Sequence, residues 1–429
     1  MAAAYVDQGS YGCVFRPHLA RLPARKCKST PAPGRPARSK TVAGVKGTVS
    51  KVFENDDAAE EELAMHMVVT EADPDGIFTA RMMRVCREVT RGELAKSIKG
   101  SELAKCTLTE DPSATYTEVV YQDMGVSLYA VVTSLLSGKA GGKGASVAAR
   151  LTPGSLLPAL ESLLFGLAKM AMSGIVHMDL SCNNVLMTAD RVTIVDFGLS
   201  QRLDTVYAAA SRSGDMTHFR HTNEFYAPEF RLAYMLHRSG RKTAWKDVAD
   251  RILVRNIQPM YFEVEPYVVK RWMAQARAFH AQVIGEGGKA PYRLLQRYEV
   301  EIDTFAAGVN ILYLLNALLL AGRVNGNTEV EGIYALTLEM MNFNPARRIH
   351  PLAAYLRLCA IMRRQGKEPK YLDTFLEHAR ATGVQFSPDQ LLLHDVQVLA
   401  SGLQITRTSS TRKRDLLERI NMSLRTPRP

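Results

Sequence analysis

Val176-His177-Met178-Asp179-Leu180-Ser181-Cys182-Asn183-Asn184-Val185-Leu186, followed after a turn at Thr188-Ala189-Asp190 by Val192-Thr193-Ile194-Val195-Asp196-Phe197-Gly198, is the stretch on which the reading of this chain turns. Short apolar runs alternate there with isolated polar side chains: Asp179, then Asn184, then Asp196 ahead of a glycine. Two polar residues five apart between apolar strands arise often by chance, but this ordered set does so rarely.

Working outward, the 429 residues suffice for two or three domain-sized bodies, and the 46% apolar content allows a sizeable core. The formal net charge of +11 favours acidic partners, either an acidic protein segment or nucleic acid. No charged-then-apolar leader opens the sequence, and the run from Ile311 to Ala321 is too short to cross a bilayer. The expectation is a soluble intracellular protein with no membrane segment. The six cysteines (Cys13, Cys27, Cys86, Cys106, Cys182, Cys359) show neither a CxxC pair nor the dense spacing of a secreted scaffold, so they read as reduced thiols.

Strand patterns dominate the first part: a hairpin over Tyr5 to Phe15, then Val49 to Phe53 and Glu118 to Tyr121. A helix is expected from Asp57 to Thr70. Residues 17–47 are rich in Pro, Arg and Lys and read as an exposed basic loop. After Tyr121 helical spacing takes over, at Leu156 to Ser173, Ile302 to Ala321 and Pro351 to Arg364, with a flexible connection at Ser137 to Ala149. This is an α+β pattern.

Two further features carry chemistry. Gly9-Ser10-Tyr11-Gly12-Cys13-Val14 is a turn between strands whose glycines let backbone amides approach phosphate oxygens. Lys51 stands alone in an apolar strand, where a buried ammonium needs an anion. The run Glu60-Glu61-Glu62 opens a helix that can supply it. Glu61, followed by Ala64, Met65 and Val68, is the expected partner, with Glu62 second.

With these residues in view, the region from Val176 to Gly198 resembles the protein-kinase pattern H-R-D-L-x-x-x-x-N followed by D-F-G. Three more stretches extend the resemblance to about Tyr5 to Arg364. His221-Thr222-Asn223-Glu224-Phe225-Tyr226-Ala227-Pro228-Glu229 is similar to the end of an activation segment. Asp303-Thr304-Phe305-Ala306-Ala307-Gly308 is similar to the start of the central helix. Asn344-Pro345-Ala346-Arg347-Arg348 places Arg348 as the buried partner of Glu229. The resemblance implies a two-lobed fold, with a small β-rich N-lobe (1–124, insertion 17–47), a larger helical C-lobe (125–364, insertion 231–300) and a basic helical extension (365–429).

It also implies roles. ATP and Mg2+ are the cofactors, bound between the lobes, and the substrate is a protein. Asp179 accepts the proton of the acceptor hydroxyl, Asn184 and Asp196 hold magnesium, and Lys51 holds the α- and β-phosphates with Glu61 keeping it in place. Gly9, Ser10, Tyr11, Gly12, Val14 and Tyr121 adjoin the nucleotide. Thr222 points to a serine/threonine kinase.

Departures from the pattern are equally specific. Met178 stands where regulated kinases carry arginine, which argues against control by phosphorylation of Ser211, Ser213 or Thr217. Ser181 replaces a lysine that touches the γ-phosphate, and Asp7 replaces the first glycine of the loop. The sequence also resembles kinases of large DNA viruses, which would place it in the host cell, in cytoplasm or nucleus, or in the virion. A pseudokinase serving as an ATP-binding scaffold and a kinase-like enzyme acting on a small molecule are the rival expectations. The segment from Thr406 reads as a solvated basic terminus.

Overall fold

The computed structural model describes residues 4–9, 12–17, 19, 22, 26–29, 47–54, 57–98, 100–106, 113–138, 141–142, 144–203, 225–229, 232, 265–285, 297–324, 328–406 and 411–425. The chain divides into two compact units, Met1–Gly125 with Thr193–Leu199, and Val126–Val192 with Ser200–Pro429.

The first unit is built on a six-stranded antiparallel sheet. Its strands are β1 (Ala4–Gly9), β2 (Gly12–Arg16), β3 (Cys27–Ser29), β4 (Thr48–Glu54), β5 (Met82–Thr90) and β6 (Thr115–Gln122), in the order β1-β2-β4-β6-β5-β3. β6 lies at the centre and is buried along most of its length, as its run of Val, Tyr and Thr requires of a strand covered on both faces. In the β4–β6 register Lys51 faces Val119 and Val49 faces Tyr121. Opposed residues, and residues two apart, share a face, so Lys51 and Tyr121 project to the same side. β1 and β2 form the expected hairpin, with Gly9 opposite Gly12. A side chain at Gly12 would come within 2.6 Å of the Val52 carbonyl oxygen, so this glycine is what lets β2 lie against β4.

One helix, α1 (Asp57–Ala72), crosses the unit, followed by the short α2 (Arg91–Ser97) and α3 (Gly100–Leu103). The inward residues of α1 are Glu62, Leu63, His66 and Val69, whereas Glu61 and Ala64 are exposed. Its buried stripe is thus rotated one position from the expected one. After the helix, the buried Asp73 carboxylate accepts from the amides of Ile77, Phe78 and Thr79 at 2.8, 2.9 and 2.9 Å and fixes the turn into β5.

Two expectations for this unit are corrected. The segment 17–47 is not simply an exposed loop, because its described residues are tied to the sheet. Leu19 and Leu22 are buried, and the Leu19 amide donates to Ser50 Oγ at 2.9 Å and to Glu118 Oε1 at 3.2 Å. Arg84 in turn bonds Glu118 and the Leu19 carbonyl. β3 then adds the edge strand. Nor are four of the six cysteines free: Cys13–Cys106 and Cys27–Cys86 are disulfides across separations of 93 and 59 residues. Spacing along the sequence did not reveal them because the sheet, through the Cys27–Cys86 register, makes those pairs.

The second unit is mainly helical: α4 (Leu128–Ser137), α5 (Ala145–Arg150), α6 (Pro153–Met172), α7 (Pro266–Gly285), α8 (Ile302–Leu320), α9 (Thr328–Met340), α10 (Pro351–Arg364), α11 (Leu372–Ala381), α12 (Leu393–Gly402) and α13 (Lys413–Arg425). Short strands β7 (Val126–Ser127) and β9 (Val185–Met187) pair, as do β8 (Ile175–Val176) and β11 (Gln201–Arg202). The chain passes from this unit to the first along β10 (Val192–Ile194). α6 starts at Pro153 because Thr152 caps it and proline suits its first turn. α5 interrupts the expected flexible connection.

α6 and the 299–320 segment are long and apolar enough to cross a bilayer, contrary to the length reading above, but 78% and 89% of them is buried inside the protein. That burial is the behaviour of core helices. In α8, a side chain at Gly308 would meet Met341 Cγ at 2.7 Å, so glycine permits the close approach there. α7, inside the 231–300 insertion, buries Val268, Trp272, Ala276, Phe279 and Val283 on one stripe, and Trp272 stacks on Phe343 with ring centroids 5.2 Å apart.

The C-terminal segment is folded rather than solvated. Leu416, Leu417, Ile420 and Leu424 of α13 are buried, and Asn421 bonds both backbone groups of Phe386. Arg357 of α10 makes a two-pronged pair with the fully buried Asp395 of α12, both contacts at 2.9 Å.

Candidate active site

In the first unit the site is built around Lys51. β4 carries this lysine into the interior, where it is 8% exposed. Its Nζ lies 2.8 Å from both carboxylate oxygens of Glu62 and 2.7 Å from Asp196 Oδ1. Glu62, not Glu61, is therefore the partner; Glu61 is on the outer side of α1. The physical reason is helical phase. Counting from Glu62, His66, Val69 and Asp73 recur on the inner side, while the Ala64-Met65-Val68 set that follows Glu61 is exposed or half-buried.

The cluster holds one cation between two carboxylates. Burial would lower the Lys51 pKa, but the charges of Asp196 and Glu62 outweigh it and the net direction is up. Burial pushes Glu62 up to about 7 against the attraction of Lys51, with Asp196 adding to the rise. Gly198 fits the same corner, since a Cβ there would lie 3.2 Å from Glu62 Oε2. Asp196 has φ 66, a left-handed conformation that a non-glycine residue adopts at a cost and that concentrates at functional positions.

His66 was not foreseen from the sequence. It is buried beside Tyr121 and Phe197, with ring centroids 5.1 and 6.0 Å away. Burial, then the charge of Lys51, lowers its pKa to about 4, so it stays neutral. Its place on the stripe that begins at Glu62 is the signal that could have found it. Of the phosphate-cradling turn, Gly9, Gly12 and Val14 are in strands, while Ser10 and Tyr11 lie outside the described residues. Tyr121, buried, has its phenol pKa raised by burial and by the nearby charges of Glu62 and Asp196.

In the second unit Asp179 and Asn184 come together on the loop between β8 and β9. Asn184 Nδ2 donates to the Asp179 carbonyl at 2.8 Å and to its Oδ2 at 3.0 Å. This loop is braced from beneath by α8. Asp303 Oδ2 accepts from the His177 amide at 2.6 Å, and its Oδ1 from the Met178 amide at 3.1 Å. Asn310 adds a bond to the Leu180 carbonyl at 2.8 Å. Met178 has φ 70, a strained position that these bonds hold. Burial raises the Asp303 pKa to about 7, against the two amides, with the Asp179 charge adding to the rise. The His177 ring turns back to its own loop, with Nδ1 3.3 Å from the Asp179 amide nitrogen.

Arg348 and Glu229 form a pair that is all but inaccessible to solvent, with Nη1–Oε1 at 2.6 Å and Nη2–Oε2 at 2.9 Å. Arg348 also donates to the carbonyls of Asn342 and Glu301 at 2.9 and 3.0 Å. Thr222, Ser211, Ser213 and Thr217 lie outside the described residues. A residue the sequence did not single out, Tyr226, reaches Asp179 Oδ1 with its hydroxyl at 3.4 Å.

A buried lysine held by carboxylates, and an aspartate steadied by an asparagine five residues later, are parts of a phosphotransferase of the kinase type. A model of the protein kinase domain matches residues 141–243, a stretch that contains Asp179, Asn184, Asp196 and Glu229. The chain belongs to the protein kinase superfamily. No curated protein gives a significant match.

Proposed function

We propose that this protein is an ATP-dependent protein kinase that transfers the γ-phosphate to serine and threonine hydroxyls of protein substrates, with the two-lobed architecture of that family. The observation that carries the reading is the Lys51 ammonium held at 2.7–2.8 Å by Glu62 and Asp196. A lysine fixed in this way can bind the α- and β-phosphates without first having to be ordered.

Asp196 and Asn184 offer hard oxygen donors, a carboxylate and an amide carbonyl, which fit magnesium, an ion bound through one or two carboxylates together with substrate phosphates. When bound, magnesium neutralises the charge on the phosphate oxygens. The rest falls to the chain's own side chains. Lys51 takes phosphate oxygens and Glu62 holds Lys51, while the glycines of the first turn admit backbone amides to the nucleotide beside Val14 and Tyr121. Asp179 orients the acceptor hydroxyl and takes its proton as the new oxygen–phosphorus bond forms and the bond to the departing ADP breaks.

The Glu229–Arg348 pair favours a protein substrate over a small molecule, because it anchors the segment that follows the acceptor platform in protein kinases. Ser181 and Asp7 favour the rival reading, an ATP-binding scaffold without turnover. Transfer of labelled γ-phosphate to a basic or casein-like protein with magnesium, beside Asp179→Ala and Asp196→Ala, tests the proposal. Label on serine or threonine with the parent, and none with either variant, is expected. Magnesium-dependent ATP binding without label on a broad substrate panel would establish the scaffold instead, and absence of ATP binding would overturn both.

A further inference from the structure

We propose that Tyr226 is a positioning residue for Asp179, its phenol hydroxyl holding Oδ1 while Asn184 holds Oδ2. The contacts are 3.4 Å from Tyr226 Oη and 3.0 Å from Asn184 Nδ2. The inference rests on the reading of Asp179 as the proton acceptor and adds a residue to it.

Two constraints motivate it. An aspartate carboxylate turns readily about its last torsion, which has broad wells, so one anchor on Oδ2 leaves the direction of Oδ1 loose. A second donor on Oδ1 removes that freedom and still leaves lone pairs for a substrate hydroxyl, since an ionised carboxylate accepts at about four sites. The position of Tyr226 is itself well fixed. It is 8% exposed and lies three residues before Glu229, which Arg348 clamps. A contact of 3.4 Å is long for a hydroxyl donor, and such bonds tighten when substrate is bound.

Ser181 sharpens the need. It stands where the kinase pattern has a lysine, and a serine brings no positive charge to the loop. Of the titratable groups around Asp179, His177 lies on the same loop, Asp303 approaches from α8 with a charge of the same sign, and Tyr226 supplies a neutral donor.

The test compares the full-length parent with Tyr226→Phe and with 3-fluorotyrosine placed at 226, a more acidic phenol that donates more strongly. Carboxyl carbons of labelled aspartate are followed by NMR against pH, the Asp179 signal being assigned with Asp179→Asn. Loss of the donor should raise the Asp179 titration midpoint by about 0.7 pH unit, the equivalent of a hydrogen bond of about 1 kcal/mol, and the fluorinated residue should lower it. The kcat of Tyr226→Phe should fall about fivefold with the KM for ATP unchanged, and the acid limb of its pH profile should move up with the carboxyl.

An unchanged Asp179 titration in both variants overturns the contact. A shifted titration with unchanged kcat and pH profile overturns the positioning role. The titration needs no turnover, so it stands apart from the Asp179→Ala transfer assay, whose failure would instead sink the reading of Asp179 as the proton acceptor.

Discussion

Replacing Glu62 with alanine should lower stability far more than the same change at Glu61, although the two residues are adjacent. In the folded protein Lys51 is desolvated and has three short contacts, two of them to Glu62. Breaking a buried pair costs about 3–5 kcal/mol, chiefly because the surviving charge stays buried. Here Asp196 remains beside Lys51, and removing Glu62 also relieves the repulsion between two carboxylates, so the net loss should be about 2–3 kcal/mol. Glu61 is exposed, and its removal should change stability by about 0.5 kcal/mol or less. With a urea dependence of about 2–3 kcal/mol per molar, Glu62→Ala should bring the unfolding midpoint down by about 1 M, while Glu61→Ala should leave it in place. ATP affinity, measured alongside, should fall with Glu62→Ala only. Equal midpoints, or a larger drop for Glu61→Ala, would refute the assignment of the Lys51 partner and the helical phase on which it rests.

Arg348→Met should cost about 3–5 kcal/mol in urea unfolding by leaving the Glu229 carboxylate buried alone, and Glu229→Gln added to it should recover part of that loss. From pH 6.5 to 8, stability should fall by on the order of 2 kcal/mol. Burial holds Asp303 near 7 and Glu301 near 8, above unfolded carboxyls, so the folded state keeps protons that the unfolded state has released, and their contribution is lost as pH rises. Asp303→Asn should flatten that dependence in melting curves. Below pH 6.5, His66 and His350, both held near 4 by burial, should draw stability down as pH falls, and replacing His66 with a neutral aromatic should lessen the loss. Reduction of Cys13–Cys106 and Cys27–Cys86 should lower stability by up to about 4 kcal/mol for each, the loop-closure value for separations of this length; a midpoint unmoved by reductant would count against both bonds.

The elements with strong periodicity were legible in the sequence. The Lys51 strand, the helix after it and the three main helices of the second unit lie within a few residues of their expected places. Asp179 and Asn184 could be paired from their spacing alone, because a tight loop keeps five residues close. The partner of Lys51 could not be read as securely. Three consecutive glutamates offer three helical phases, and the apolar residues after Glu61 look as suitable as those after Glu62 until His66 is recognised as a core residue. The disulfides and Tyr226 depend on contacts between residues far apart in sequence, which no local pattern records. α13 is a different case: Leu416, Leu417, Ile420 and Leu424 do form an apolar stripe, but the arginines and lysines around them made the segment look solvated.

The Arg357–Asp395 pair bears on where this protein can be cut. The resemblance to protein kinases stops near Arg364, and a minimal catalytic fragment would naturally end there. Such a fragment would leave the Arg357 guanidinium with Glu339 alone and would uncover the ring of Tyr355, which Phe375 covers with its centroid 4.9 Å away. Limited proteolysis should accordingly spare the junction after α10, and the shortest separately foldable piece of the helical unit should extend through α13. Residues that look like an appendage in the sequence thus work as the closing wall of the helical unit.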